Sequence, residues 1–203
     1  VGKPYASASA RNAAPILGVL RYEFRDCSTV FEIGSGTGQH AVTFATALPD
    51  LLWQPSDLAQ SHDGIRAWID DAGLDNVLPP LPFDVLTAET PREKYDAVFS
   101  ANTAHIMSYA AVCRMFEHAG AMLHDDGVFC LYGPFSRGGT FSTASNAEFD
   151  ASLRSRNPAM GIRDLDDLAL LAAQNGMRLA RTYAMPANNL LLVWTRTGSK
   201  CRR

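Results

Sequence analysis

At roughly 150 residues per domain, 203 residues amount to one domain with some decoration. Hydrophobic residues make up 47%, enough to fill a core, which excludes a disordered chain. The 18 basic and 21 acidic side chains give a net charge of −3, which argues against a polybasic nucleic-acid or membrane-surface protein.

The chain alternates helical and extended patterns. Residues 10–25 read as a helix with Ile16, Leu17 and Leu20 on one face. A strand over 29–33 ends at glycines, and Ala41, Phe44, Ala45 and Leu48 recur at the spacing of an amphipathic helix. A second strand over 51–55 precedes a helical stripe of Ile65, Trp68, Ile69 and Ala72, with Gly73 as its stop. A third strand, broken by prolines, is expected over 77–85 and a fourth over 95–100. Val112, Met115, Phe116, Ala119 and Met122 mark the next helix, and 128–132 the fifth strand. Residues 133–145 read as a long Gly/Ser/Thr loop, a length that usually has a function. Asn146 is expected to cap a helix bearing Phe149 and Leu153, and Asp164 to cap another ending at Gly176. Strands over 177–185 and 190–195, joined by a short turn, form a hairpin, so the last strand runs antiparallel. Repeated strand–helix–strand units mean an α/β fold, a mostly parallel sheet with helices on both faces. Residues 1–26 form an N-terminal helical cover and 198–203 a tail, the whole chain being one domain.

The longest purely apolar run, 168–173, is too short to cross a bilayer, and 13–20 is broken by Pro15 and followed by charges. The chain is therefore expected to be cytoplasmic. Cys27, Cys113, Cys130 and Cys201 form no C-x-x-C pair and are expected as reduced thiols. The five histidines have no metal-binding spacing, so no metal is expected, and His62, His118 and His124 are expected at the surface.

Where the first strand meets the next helix stands Glu32-Ile-Gly34-Ser35-Gly36-Thr-Gly38-Gln39-His40. Glycines there let the chain turn sharply and a ligand approach the backbone. A dinucleotide fingerprint would need a small residue at position 39, which is Gln39. The alternation of Gly34, Gly36 and Gly38 behind Glu32 instead resembles the first motif of class I S-adenosylmethionine (SAM) methyltransferases. An acid such as Glu32 suits a cationic ligand. Asp57, followed by Leu58, lies 19 residues beyond Gly38, where a carboxylate can accept from ribose hydroxyls. Asp84, followed by Val85, could accept from an adenine amino group.

A closer resemblance rests on Arg11-Asn12 before Pro15, Gly36-Thr-Gly38-Gln-His40, Trp53-Gln-Pro-Ser-Asp57, Asn102-x-x-His105-Ile, Leu131-Tyr-Gly-Pro-Phe135, Phe149-Asp-x-x-Leu-Arg154, Arg163-Asp164 and Asn188-Asn189-Leu. Together these resemble the small SAM-dependent methyltransferase family that includes the human methyltransferase-like protein twenty-six and bacterial relatives, from about Lys3 to Thr195. The resemblance implies the three-layer, Rossmann-like class I fold with seven strands, and SAM as cofactor. It supplies no substrate, and Thr103-Ala104 stands where the family has a larger apolar pair.

The cofactor-binding set expected is thus Arg11, Asn12, Glu32, Gly34, Ser35, Gly36, Gly38, Gln39, Asp57, Leu58, Asp84, Val85 and Asn102. Methyl transfer from a sulfonium needs mainly alignment and exclusion of water, with a base only if the acceptor must lose a proton. His105 is the candidate base, against a structural histidine capping the next helix. Tyr132 is a candidate for the acceptor pocket, against a packing tyrosine. Arg11 could equally be a surface ion-pair residue, and Asn188 and Asn189 are turn residues by default.

The expected partner is a small-molecule methyl acceptor, with no nucleic acid or membrane, and the chain acting as a monomer or homodimer. Three other functions compete with this reading. A nicotinamide oxidoreductase is weakened by Gln39, and aminopropyl transfer by the lack of acids in the 102–105 stretch. A non-catalytic SAM-binding regulator or scaffold would keep the glycine loop without an acceptor pocket.

Overall fold

The run Thr-Val-Phe-Glu-Ile has no polar face to give to water, so it belongs inside a sheet covered on both sides. The computed structural model describes residues 2–197 and places this run as β1 (Thr29–Ile33) in a seven-stranded sheet. Before it comes α1 (Ser7–Glu23), and after it α2 (Gln39–Ala47), β2 (Leu52–Asp57), α3 (His62–Ala72) and β3 (Leu81–Pro82). The chain continues through β4 (Tyr95–Ala101), α4 (Tyr109–Met122), β5 (Leu123–Gly133), β6 (Phe135–Ser136), α5 (Ala144–Arg156) and β7 (Arg163–Asp164). It ends in α6 (Leu165–Gln174), β8 (Met177–Met185) and β9 (Asn189–Arg196). The sheet order is β3-β2-β1-β4-β5-β9-β8, parallel from β3 to β5, with β9 antiparallel to both its neighbours. This is the α/β class that the strand–helix rhythm implies.

Alternation along the strands sorts the core into two layers. Phe31, Val98 and Phe129 pack with Val112, Phe116 and Leu168 of α4 and α6. On the other face, Val30, Phe99 and Cys130 pack with Ile16, Leu20 and Phe44 of α1 and α2. Glu23 at the end of α1 accepts both Arg181 Nε and Nη2 at 2.6 Å, and the Tyr183 hydroxyl at 2.6 Å, fastening α1 to β8.

Several expected bounds move. Helix α1 begins three residues early and carries Pro15 inside it. The third strand shrinks to Leu81–Pro82, with a single bridge from Val77 to Trp53, because Pro79, Pro80 and Pro82 have no N–H to donate. Strand β5 starts at Leu123, where it pairs with Tyr95. Thr143, not Asn146, caps α5, accepting from the Asn146 N–H at 3.3 Å. Asn188 has the left-handed φ of a turn residue (59°), but Asn189 is extended and opens β9. Residues 198–203, with Cys201, lie outside the described residues, and no disulfide joins Cys27, Cys113 and Cys130 among the described residues. No helix among the described residues is long and apolar enough to cross a membrane.

The stretch after β5 is more ordered than its composition implies. Strand β6 pairs with β7, and Asp164 caps α6 by accepting from the Asp166 N–H at 2.9 Å. The same carboxylate accepts from Ser136 Oγ at 2.9 Å and from the Gly139 N–H at 2.8 Å. Burial alone would raise the Asp164 pKa, but the hydrogen bonds from Gly139, Asp166, Ser136 and Gly138 outweigh it and hold the carboxyl below its usual value. A depressed carboxylate contributes stability above the unfolded pKa of about 4, and loses it as pH falls through the folded value. Asp164→Ala is expected to cost about 1–2 kcal/mol at pH 7 and to weaken the acid dependence, as urea unfolding at pH 7 and pH 3 would show.

Candidate active site

The loop after β1 turns on three glycines with positive φ: 75° at Gly34, 58° at Gly36 and 89° at Gly38. A Cβ on Gly34 would stand 2.6 Å from Thr103 Cγ2, and one on Gly38 would stand 2.9 Å from Ile65 Cα. Only glycine lets the loop approach β4 and α3 this closely. Four of the loop's N–H groups are taken up by the protein, three of them by the end of β2. The Gly34 and Ser35 N–H groups donate to Ser56 O at 3.0 and 2.9 Å, Gly38 N–H to Ser35 O at 2.9 Å, and Gly36 N–H to Asp57 Oδ2 at 2.7 Å. Asp57 Oδ1 accepts from the Leu58 N–H at 2.7 Å and Ser61 Oγ at 2.9 Å.

At the carboxyl edge of the parallel strands these residues open a cavity of about 560 Å³. That edge is where open α/β sheets hold ligands. Its walls include Gly34, Ser35, Gly36 and Thr37 of the loop, Asp57 and Leu58 after β2, Phe83 to Leu86 after β3, and Asn102, Thr103, Ile106 and Met107 after β4. Ala6 and Ser9 close one side. Two carboxylates, Asp57 and Asp84, face this space, and no lysine or arginine lines it. Asp84 Oδ1 accepts from the Leu86 N–H at 2.9 Å, which fixes the turn. Asn102 carries a left-handed φ of 60°, and its N–H donates to Tyr132 O at 2.9 Å. Such backbone strain clusters at functional sites.

Of the expected cofactor residues, Gly34, Ser35, Gly36, Asp57, Leu58, Asp84, Val85 and Asn102 line the cavity. Five act from behind it or stand away from it. Glu32 lies buried under the loop, its Oε2 accepting from Ser35 Oγ at 2.8 Å and Trp53 Nε1 at 2.9 Å. Gln39 is also buried, and its Oε1 accepts from the Ala6 N–H at 2.5 Å and Thr37 Oγ1 at 3.1 Å, mooring the start of α1. Arg11 and Asn12 do not line the cavity, because the helix turns Ala6 and Ser9 toward it instead. Gly38 sits one turn below, as the N-cap of α2.

The catalytic candidates stand elsewhere too. Neither His105 nor Tyr132 lines the cavity. The His105 ring points toward Phe149, 5.4 Å between centroids, and beside Gly133. It does not cap α4, whose cap is Ser108 accepting from the Ala111 N–H at 3.2 Å. Burial, with Arg163 and Arg156 nearby, lowers its pKa to about 4, so the imidazole is neutral at pH 7 and any rate limb from it belongs near pH 4 rather than 6.5. Arg163 donates to Ala104 O at 3.0 Å, to Met107 O and to Ala159 O at 2.9 Å, clamping the loop that carries His105. Tyr132 is buried, and its hydroxyl accepts from Asn189 Nδ2 at 3.0 Å. No group of three or more His, Cys, Asp or Glu side chains among the described residues could hold a metal.

Residues 3–196 match the model of a family described as a protein of unknown function (DUF938). The chain belongs to that family. Among solved structures, it is similar to the mitomycin 7-O-methyltransferase MmcR, with a TM-score of 0.82 and 19% identity over 94% of this chain and 54% of that one. An O-methyltransferase family protein from Burkholderia thailandensis gives a TM-score of 0.83 and 18% identity, covering 95% of this chain and 58% of that one. PigF with SAH gives 0.77 and 16%, over 92% and 56%. The chain thus spans a little over half the length of these structures, and at such identities the likeness is one of fold.

Three histidines were missed as parts of the site. His62 and His118, expected at the surface, are 5% and 0% exposed, and His40 is buried as well. Their Nε2 atoms lie 3.0 Å from Ser9 O (His40), 3.1 Å from Asp57 O (His62) and 3.0 Å from Val85 O (His118). Each of those carbonyls belongs to a cavity-lining residue. Their partners lie 5 to 33 residues away, with no spacing that a sequence pattern would reveal.

Glu32 offers a test. Burial pushes its carboxyl up to about 7, against the lowering effect of the Trp53 and Ser35 hydrogen bonds, and Asp57 adds to the rise. A raised folded pKa contributes stability that is fully present below the unfolded value of about 4.3 and lost as pH rises through about 7. Glu32→Gln escapes that loss. It is expected to melt about 2–4 °C above the wild type at pH 8 and no higher at pH 5.

Proposed function

We propose that the chain is a class I SAM-dependent methyltransferase that modifies a small-molecule acceptor. One observation carries the reading: the N–H groups of Gly34, Ser35, Gly36 and Gly38 are spent on the protein, and the cavity presents carboxylates and no lysine or arginine. A dinucleotide would bring a pyrophosphate, which needs free N–H groups and a positive end. A nucleoside bearing a cationic chain suits the opposite arrangement. The fold likeness supports the same reading, since one similar structure holds SAH and another is described as an S-adenosylmethionine-dependent methyltransferase.

The residues fit such a ligand. Gly34 and Gly38 give the clearance that side chains would fill, and Leu58, Phe83 and Met107 offer apolar surface for a base. Asp57 accepts from the ribose hydroxyls and Asp84 from the adenine amino group, while Glu32 below the loop balances a cationic chain. Bound there, SAM supplies a sulfonium methyl group to a nucleophile. Asn102 orients groups at the cavity floor between β4 and β5. His105 belongs to the acceptor side, as a neutral ring beside Phe149. With so low a pKa it is a weak base at pH 7, so the chain's main contribution to rate is alignment and exclusion of water.

Calorimetry with SAM, SAH and NAD is the direct test, with the first two expected to bind and NAD not. Asp57→Ala removes a charged acceptor and also frees the Gly36 N–H. It is expected to weaken SAH binding by about 2–4 kcal/mol, about 30- to 1000-fold in Kd. Unchanged affinity in that variant, or binding of NAD alone, contradicts the assignment. Transfer is separated from binding without turnover by incubating the chain with methyl-labelled SAM and a cell metabolite pool, then following the label by mass spectrometry.

A further inference from the structure

The cavity wall formed by Phe83, Asp84, Val85 and Leu86 belongs to no strand or helix, since β3 ends at Pro82 and β4 begins at Tyr95. A local turn gives the wall its shape: the Thr87 and Ala88 N–H groups donate to Asp84 O at 3.0 and 2.8 Å. A turn cannot by itself fix where the wall stands. That task falls to His118 on α4, which is fully buried and does not line the cavity. Its Nε2 is 3.0 Å from Val85 O, its Nδ1 is 2.7 Å from Thr90 Oγ1, and its ring meets Phe83 edge-on at 4.9 Å. Because a carbonyl only accepts, Nε2 carries the hydrogen, and Nδ1 then accepts from the Thr90 hydroxyl. One neutral ring thus grips the segment at Phe83, Val85 and Thr90, on both sides of Asp84 in the chain and beyond it.

We propose that His118 is a positioning residue for base recognition, setting where Asp84 stands and so how well the site tells adenine from a base without its amino group. The inference rests on the reading of this cavity as an adenosyl site. An amino group donates to the Asp84 carboxylate, whereas the carbonyl oxygen of hypoxanthine at the same place meets it acceptor to acceptor. A site built to pair one polar group rejects the analogue lacking it, provided the pairing group is held in place. The rotamer of Asp84 is tied to the turn through Leu86, so a shift of the wall carries the carboxylate with it.

The experiment measures calorimetric affinities for SAH and for its inosine counterpart in the wild type and three variants, with melting temperatures alongside. His118→Phe keeps a ring against Phe83 but leaves Val85 O and Thr90 without their partner. Thr90→Val removes one hydrogen bond only. His118→Gln restores a donor and an acceptor. The wild type is expected to prefer SAH, and His118→Phe to lose about tenfold of that preference, chiefly by binding SAH more weakly. Thr90→Val shifts the preference the same way by less, and His118→Gln recovers most of it. A purely structural role lowers the melting temperature and leaves the preference unchanged, or weakens both ligands equally; either result overturns the proposal. If His118→Phe does not fold, an unchanged preference in Thr90→Val overturns it instead. A wild type that binds neither ligand overturns the adenosyl reading and this proposal with it, whereas SAH binding with an unaltered preference in the variants overturns this proposal alone.

Discussion

The Gly36 N–H donates to Asp57 Oδ2 at 2.7 Å, joining the loop after β1 to the end of β2. This charge-assisted bond, with the Gly34 and Ser35 N–H groups turned onto Ser56 O, decides the character of the site. In dinucleotide-binding folds a loop at this place points its N–H groups outward to grip phosphate. Here the Gly34, Ser35 and Gly36 groups are taken by the end of β2, and the Asp57 carboxylate lines the cavity. The positive φ values of the three glycines make that inward turn possible, and the close approach of Thr103 and Ile65 leaves no room for another residue. Backbone conformation thus puts a carboxylate, rather than the N–H groups of Gly34, Ser35 and Gly36, on this wall of the cavity.

Around this loop the walls are held by side chains that, His40 apart, do not line the cavity. His40, His62 and His118 each bind one carbonyl of the wall, at Ser9, Asp57 and Val85. Gln39 holds the Ala6 N–H, and Trp68 Nε1 donates to Pro4 O at 2.7 Å, so the N-terminal segment lies along α3 and brings α1 to the rim. Arg163 does the same for the loop after β4. An imidazole suits the task, since it carries a directed N–H on a rigid plane and fills core volume. Burial lowers the pKa of His40 to about 4, which keeps that ring neutral well below pH 7.

Elements with one face toward the core were legible from their periodicity. The stripe Val112, Met115, Phe116, Ala119 and Met122 is buried along α4, and β8 runs from Met177 to Met185 as its pattern implies. The third strand was not, because three prolines remove the donors that a ladder needs while leaving the apolar pattern intact. Within the site, the glycine spacing and Asp57 and Asp84 were legible because they lie at strand ends, where topology delivers residues to a common edge. The direction of His105 was not. It depends on Phe149, Gly161 and Arg163, which come back to the loop from 44 to 58 residues downstream, as with the Gly161 N–H that donates to His105 O at 2.9 Å. The buried histidines escaped notice for the same reason, since their carbonyl partners carry no sequence signature.

The central claim is that this cavity holds an adenosyl ligand with its ribose at Asp57 and its base against the segment from Phe83 to Leu86. A crystal structure of the chain grown with SAH tests it most directly. The account predicts ribose hydroxyls within hydrogen-bond distance of the Asp57 carboxylate, the adenine amino group at Asp84, and the Gly36–Asp57 bond retained. SAH bound outside this cavity, or inside it with the ribose remote from Asp57, would contradict it.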